Sequence, residues 1–289
     1  MSTAMASPEL FVQESIAKIS HIATLPEITS KIISIVQNPA STAAQLHSIV
    51  SNDPALATRI LKTVNSAFYG LPGQIGSLER AIVLLGLNAV KNIAVAASLG
   101  QMFRNVTLCE GYSARDLWTH CIGVGLAARE MAKRMKLALT EEAFLAGLIH
   151  DAGILVWLQA HPDTFMSICD RQKQTQGDFC QIEREISGVD HQMLGMALAE
   201  SWRFPRSCQL AAGYHHRPTA LAQDHRLLVS LVFLADTICC QQNFGFNLTA
   251  RHQTTADANL EQFGINQGMI DSVVQAMPEL MKSGGSLFD

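Results

Sequence analysis

The second half of this 289-residue chain carries imidazole and carboxylate side chains set in apolar sequence. The stretch "AFLAGLIHDAGILVWL", Ala143 to Leu158, is apolar and helix-like, and it places His150 beside Asp151. Taking such groups out of water is costly unless they are hydrogen-bonded, paired or bound to a metal. The theme recurs from residue 113 onward. His120 lies inside a long helical pattern, His191 opens "HQMLG", His215 and His216 stand in "AAGYHHRP", and Asp236 sits deep in an apolar run, "FLADT". Neutral imidazole nitrogen and carboxylate oxygen suit Fe, Mn, Zn or Ni. A carboxylate such as Asp151 is able to bridge two ions, and two ions about 3.5–4 Å apart clamp a phosphate and activate water. Each residue taken singly has a plainer reading. His120 and Asp236 would be hydrogen-bonded core positions, and His215-His216 a surface turn before Pro218. Their coincidence in one half of the chain favours a shared centre.

Positioning such a set requires elements whose apolar stripes converge, and helix starts are frequent. "SPEL" puts Ser7 at a cap and Pro8 at the first helical position. "NDPALATRILKTVNSAF" repeats the device with Asp53 and Pro54, and Leu56, Ile60, Leu61 and Val64 recur at helical spacing. Ser113 and Asp116 open a long helical run with capping-box spacing. A further helix starts at Asp190, and the length of "HRLLVSLVFLADTICC" favours a helix over a buried strand. No segment alternates or carries an Asn-Gly hairpin signal, so the fold class expected is all-α. The metal-type residues then come from five separate helices.

A loop, "YGLPGQIGS" (Tyr69 to Ser77), interrupts the N-terminal part, and "RNVTLCEGY" (104–112) is irregular. The expected organisation is an N-terminal helical half over 1–108, a helical core with the His/Asp cluster over 109–242, and a C-terminal helical extension over 243–289. Asn65, Ser66 and Tyr69 precede the glycine loop. Turn chemistry accounts for them, and a loop that binds a ligand or partner is the alternative at Asn65 and Tyr69. Arg80, Lys91 and Asn92 are expected to be solvated, and Arg203 and Arg206 to form a solvated rim. The amphipathic "MIDSVVQAMPELMKS" is expected to cover the core.

Composition narrows the function classes. The chain is 48% hydrophobic and 16% charged with a net charge of -4, so it lacks the basic surface that draws in nucleic acid. "MSTAMASPEL" has no signal-peptide pattern, and "LLVSLVFLADTICC" is too short to span a bilayer, so neither membrane nor export is expected. Seven cysteines without C-x-x-C spacing fit reduced, buried thiols in a cytoplasmic protein rather than a disulfide scaffold.

The order H…HD…D resembles the HD superfamily of metal-dependent phosphohydrolases, which are all-α. With His191 and His215-His216 added, the series resembles the HD-GYP branch, which hydrolyses cyclic di-GMP at a two- or three-metal site. That resemblance implies metal-ligand roles for His120, His150, Asp151, His191, His215, His216 and Asp236, with Asp116 as a possible additional ligand. The N-terminal half is similar to another relative. "LPEITSKIISIVQNP" and "SNDPALATRILKTVNSAFYGLPGQIGSLERAIVLLGLNAVKNIAVAASL" resemble the HDOD family, the HD-related output domain, over roughly residues 15–240. Its members are bacterial signalling modules held to have lost hydrolase activity.

The chain departs from both patterns. It keeps the whole ligand series, unlike many HDOD proteins. It lacks the GYP segment after His216, and Ile154 stands where the hydrolases carry a lysine after the dyad, which removes a donor to developing phosphate charge. Three functions follow as expectations. The favoured one is a regulatory binding module holding one to three transition-metal ions (Fe, Mn, Zn or Ni) with weak or no hydrolase activity. Its partners would be other signalling proteins or a nucleotide-type ligand. The alternatives are a phosphohydrolase acting on a cyclic dinucleotide or nucleotide, and a metal-free scaffold.

Overall fold

The computed structural model describes residues 7–22, 27–66, 69–103, 107–254 and 260–284. The described residues are overwhelmingly helical, as expected. The N-terminal part contains α1 (Pro8–Ile22), α2 (Glu27–Gln37), α3 (Ala43–Val50), α4 (Pro54–Val64), α5 (Leu78–Leu85) and α6 (Leu87–Leu99). A small antiparallel hairpin follows, β1 (Thr107–Cys109) with β2 (Tyr112–Ser113). This pairing sits in the stretch read as irregular, and Gly111 turns it with φ +81°, a conformation glycine adopts without steric cost.

The second half contains α7 (Ala114–Arg134), α8 (Thr140–Ile149), α9 (Ala152–Ala160), α10 (Pro162–Thr175), α11 (Phe179–Ser187), α12 (His191–Ser201), α13 (Arg206–Tyr214) and α14 (Gln223–Gln241). The last described helix is α15 (Gln267–Gly284), which lies on α7 and buries Val273 and Met277, as core cover requires. The sequence-level caps are the ones used. Asp53 accepts from Leu56 N at 2.9 Å, Asp190 accepts from Met193 N at 2.9 Å, and Ser113 and Asp116 form a reciprocal capping box.

One hydrophobic cluster runs from Ile19 to Met277, across both residue 108 and residue 242. Helix α1 is not packed solely with its sequence neighbours; it lies on α9 and α12. The segment Thr140–Ala160 has the length and composition to cross a membrane, and 83% of its most apolar window is buried inside the protein. It comprises α8 and α9 in succession, interrupted at His150-Asp151, where Asp151 leaves helical geometry at φ -92°, ψ 20°.

Two close helix approaches set the positions of the polar residues. Where α7 meets α8, a Cβ on Gly147 would lie 2.8 Å from Gly125 Cα. Where α9 meets α12, a Cβ on Gly153 would lie 1.9 Å from the carbonyl oxygen of His191. Glycine at these crossings lets backbones touch. The first brings His120 toward His150, with ring centroids 5.2 Å apart; the second brings the Asp151 turn against the start of α12.

Candidate metal centre

The seven residues of the H…HD…H…HH…D series meet in the core. His120 comes from the second turn of α7, and His150-Asp151 from the break between α8 and α9. His191 is the first residue of α12, His215-His216 follow α13, and Asp236 lies on α14. All but His216 are at most 1% exposed, and the His216 side chain is 6% exposed.

Asp151 stands at the centre and faces two ways. Its Oδ1 is 3.4 Å from His191 Nε2 and 3.3 Å from His215 Nε2. Its Oδ2 is 3.4 Å from His150 Nε2 and 3.8 Å from His120 Nε2. His120 Nε2 is also 3.1 Å from Asp236 Oδ1, and His191 Nε2 is 2.9 Å from His216 Nε2. Ligand atoms of Asp151, His191, His215 and His216 fall within 4.8 Å of one another, as do those of His120, His150 and Asp151. Asp151 is common to these two sets, and His150, His215 and Asp236 form a further one that links them.

The imidazoles are oriented from outside the cluster. His120 Nδ1 lies 3.3 Å from Phe244 O, His150 Nδ1 2.7 Å from Gly147 O, and His215 Nδ1 3.0 Å from Ala211 O. A carbonyl only accepts, so each Nδ1 carries the proton and each Nε2 lone pair points inward. This is the tautomer a metal site uses, fixed by an outer hydrogen bond. His191 is held by a carboxylate instead. Its Nδ1 is 2.6 Å from Glu183 Oε2, while Glu183 Oε1 accepts from Trp157 Nε1 at 2.7 Å.

The inner atoms are left without aligned partners. His120 Nε2, His150 Nε2, Asp151 Oδ1 and Asp236 Oδ2 are buried and make no hydrogen bond. A buried unsatisfied polar atom costs about 1–3 kcal/mol, and four converging ones call for a common cause. Nitrogen and oxygen donors in this arrangement fit transition-metal ions, and their burial explains why each atom would go unpaired without one.

Charge within the cluster follows from burial and proximity. Burial opposes a charged His150, yet the adjacent Asp151 carboxylate outweighs it and raises the His150 pKa. Burial likewise disfavours Asp151 as an anion, and His150 and its neighbours reverse this and hold it well below the usual range. His215 and His216 are pushed down by burial and by neighbouring imidazoles, so they remain neutral. For Glu183, burial outweighs the neighbouring His191 imidazole and raises the pKa.

Asp116 is not part of the cluster. Its Oδ2 accepts from Ser113 N at 2.7 Å and from Ser113 Oγ at 2.6 Å, so its carboxylate closes the α7 capping box. Asn65 and Tyr69 also take structural roles. The Asn65 amide donates to Ile75 O at 2.8 Å and accepts from Ile75 N at 2.6 Å, which pins the glycine loop across its mouth. Tyr69 is packed against the core with the Arg129 guanidinium 5.6 Å from its ring centre, and burial raises its pKa. Lys91 and Asn92 are buried rather than solvated. Lys91 Nζ donates to Ser41 Oγ, and Asn92 Nδ2 donates to Glu141 O at 2.7 Å, joining α6 to α8. Arg206 pairs with Glu200 at 3.1 Å on the surface.

Several residues of the centre carry no motif. Glu183 occupies an apolar stripe with Phe179, Ile182 and Ile186 on α11, and a carboxylate at such a position is itself a signal. Thr249 Oγ1 lies 3.5 Å from Asp151 Oδ2, and Gln253 Nε2 contacts His216 Nδ1. Both come from the non-helical strap that follows α14. This strap is held down by Phe246 N donating to Asp116 O at 3.0 Å. Gly245, at φ +73°, crosses so close to α7 that a Cβ would lie 2.2 Å from that same oxygen. All seven cysteines are free and buried.

Comparison with known proteins places this architecture. An HDOD domain protein of unknown function from Geobacter sulfurreducens has a crystal structure that superposes with a TM-score of 0.79 at 20% identity, covering 96% of this chain and 99% of that one. A second, titled "Putative phosphohydrolase" and from Shewanella amazonensis SB2B, gives 0.75 at 24% identity, covering 94% and 98%. An uncharacterized protein of Treponema pallidum (strain Nichols) is 25% identical over 216 residues, 73% of this chain; the chain spans 41% of that relative's length. The family model for the HDOD domain matches residues 22–218, so six of the seven clustered residues lie inside it and Asp236 lies beyond. With that match covering most of the sequence and the fold shared throughout, the chain belongs to the HDOD family.

Proposed function

We propose that the chain is a regulatory module of bacterial signal transduction whose His/Asp centre holds one to three transition-metal ions in a structural or ligand-sensing role. Its partners on this reading are other signalling proteins or a nucleotide-type ligand. The observation that carries the reading is a complete donor set that is also closed. The inner nitrogen and oxygen atoms converge unpaired, which supports a bound metal. The same atoms are sealed by Thr249, Gln253 and surrounding apolar side chains, which supports retention rather than turnover. Ile154, fully buried one turn after the dyad, puts an apolar side chain where the related hydrolases place a lysine.

A second reading, a metal-dependent phosphohydrolase, is favoured by the presence of more than one donor set around Asp151, enough for two neighbouring ions. A metal pair would supply Lewis-acid polarisation of a phosphate and an activated water. On this reading, this chain's residues hold the ions and the Glu183–His191 contact fixes one imidazole, while the strap must move before a phosphate ester can enter.

Elemental analysis of chelator-free protein beside Asp151→Ala tests the centre. One to three transition-metal ions per chain, lost in the variant, is the expected result. Metal-free protein even after reconstitution would leave a hydrogen-bonded histidine core. A phosphodiesterase screen on metal-loaded protein, with cyclic dinucleotides and a generic phosphodiester, then separates the two readings. Turnover that disappears in Asp151→Ala would displace the regulatory reading.

A further inference from the structure

We infer that Cys240 is a thiolate ligand of the metal centre, at the end of the cluster formed by His120 and Asp236. The inference rests on the metal-centre reading above and adds a donor that the H…HD…H…HH…D series does not contain.

Cys240 lies four residues after Asp236 on α14, so the two side chains share one helix face. Its Sγ is 3.4 Å from Asp236 Oδ1, and that same oxygen is 3.1 Å from His120 Nε2. One ligand atom from each of His120, Asp236 and Cys240 lies within 4.8 Å of the other two, and all three residues are buried. Donors bound to a tetrahedral ion at about 2.0–2.3 Å sit roughly 3.3–3.6 Å apart, and the separation of 3.4 Å between Cys240 Sγ and Asp236 Oδ1 falls in that range. Asp151 Oδ2, 3.8 Å from His120 Nε2, offers a fourth donor.

The surroundings separate Cys240 from an ordinary core cysteine. Its neighbour Cys239 packs its sulfur against the α7 backbone, 3.2 Å from where a Cβ on Gly123 would lie. Cys240 instead faces a carboxylate, beside two buried atoms without aligned partners, His120 Nε2 and Asp236 Oδ2.

On ligation the S–H bond breaks, a sulfur–metal bond forms, and the proton leaves to solvent; no electrons are transferred. The two ends of the centre then differ. His191, His215, His216 and Asp151 form a nitrogen and oxygen set, whereas His120, Asp236 and Cys240 include a soft thiolate that favours zinc or iron(II) over manganese or magnesium.

Full-length protein, stripped of metal and kept reduced, would be titrated with Co(II). The expected result is a near-ultraviolet sulfur-to-cobalt charge-transfer band that is lost in Cys240→Ser and Cys240→Ala and retained in Cys239→Ser and Cys121→Ser. X-ray absorption on the zinc-loaded wild type, which needs no variant, would show a Zn–S distance of about 2.3 Å. Cobalt binding with ligand-field bands but no charge-transfer band would overturn the assignment, leaving Cys240 a hydrogen-bond donor to Asp236 and the metal centre intact. A band that survives loss of Cys240 in a folded variant would overturn it equally. No cobalt binding at all would overturn the inference together with the metal-centre reading.

Discussion

His191 is held between two carboxylates: its Nδ1 lies 2.6 Å from Glu183 Oε2, and its Nε2 lies 3.4 Å from Asp151 Oδ1. The outer contact decides which nitrogen faces the cluster, because Glu183 also accepts from the His191 backbone N at 3.0 Å and from Trp157 Nε1. Glu183→Gln keeps the shape and an acceptor while weakening the hold on Nδ1. Metal affinity should fall by about 10–100-fold, the usual cost of losing such an outer partner. Competition against a chromophoric chelator measures this. Unchanged affinity would mean that His191 is oriented by packing alone. Glu183→Ala would in addition strand two buried N–H groups and lower stability by about 1–3 kcal/mol per group.

The α9–α12 crossing should tolerate no side chain at residue 153. In Gly153→Ala the new methyl would meet the His191 carbonyl oxygen at 1.9 Å, and a backbone atom cannot rotate away as a side chain can. Overpacking of this kind costs about 1–3 kcal/mol, and a clash with main chain belongs at the upper end. The urea midpoint should fall, and metal content should fall with it because His191 moves. A variant as stable as the wild type would show that α12 shifts freely.

The strap governs access. Gln253 covers His216, and Thr249 covers Asp151. Gln253→Ala and Thr249→Ala should leave the donor set in place and accelerate loss of metal to an external chelator, the double variant more than either single one. Stopped-flow chelator kinetics read this directly. Identical rates in all four proteins would place the exit route elsewhere.

The docking of α1 should depend on pH. His161 Nε2 lies 2.8 Å from Ser15 Oγ, and the His161 ring stacks on Phe11 at 4.6 Å between centroids. Burial, helped by Lys18, lowers the pKa of His161 below its usual 6.5. The unfolded chain therefore binds a proton more readily than the folded one. The neutral ring's contribution is fully present above about pH 6.5 and is lost as pH falls toward the lower folded-state value. Denaturation of metal-free wild type and His161→Gln between pH 5 and 8 tests the sign: the difference between them should shrink as the pH drops. A difference that grows at low pH would contradict it.

The helices and the residues with chemical potential were legible in the linear chain because both depend on local rules. Ser7-Pro8, Asp53-Pro54, Ser113 with Asp116, and Asp190 start helices through backbone contacts made within three residues. The seven residues of the histidine and aspartate series stood out because polar groups in apolar runs need a reason. Local rules also misled. Asp116 sits one turn from His120 and resembles a ligand, yet its carboxylate is used three residues away at Ser113 N. Lys91 and Asn92, read as solvated, are buried because α8 folds back over α6. What only the tertiary structure decided is which long-range partners complete the centre. Glu183 reaches His191 across the α11–α12 turn, while Thr249, Gln253 and the carbonyl of Phe244 arrive on a strap with no periodicity to reveal it. The setting of Cys240 is likewise tertiary: Asp236 shares its face of α14, and the imidazole of His120 arrives from α7, a meeting of two helix faces that no single segment encodes.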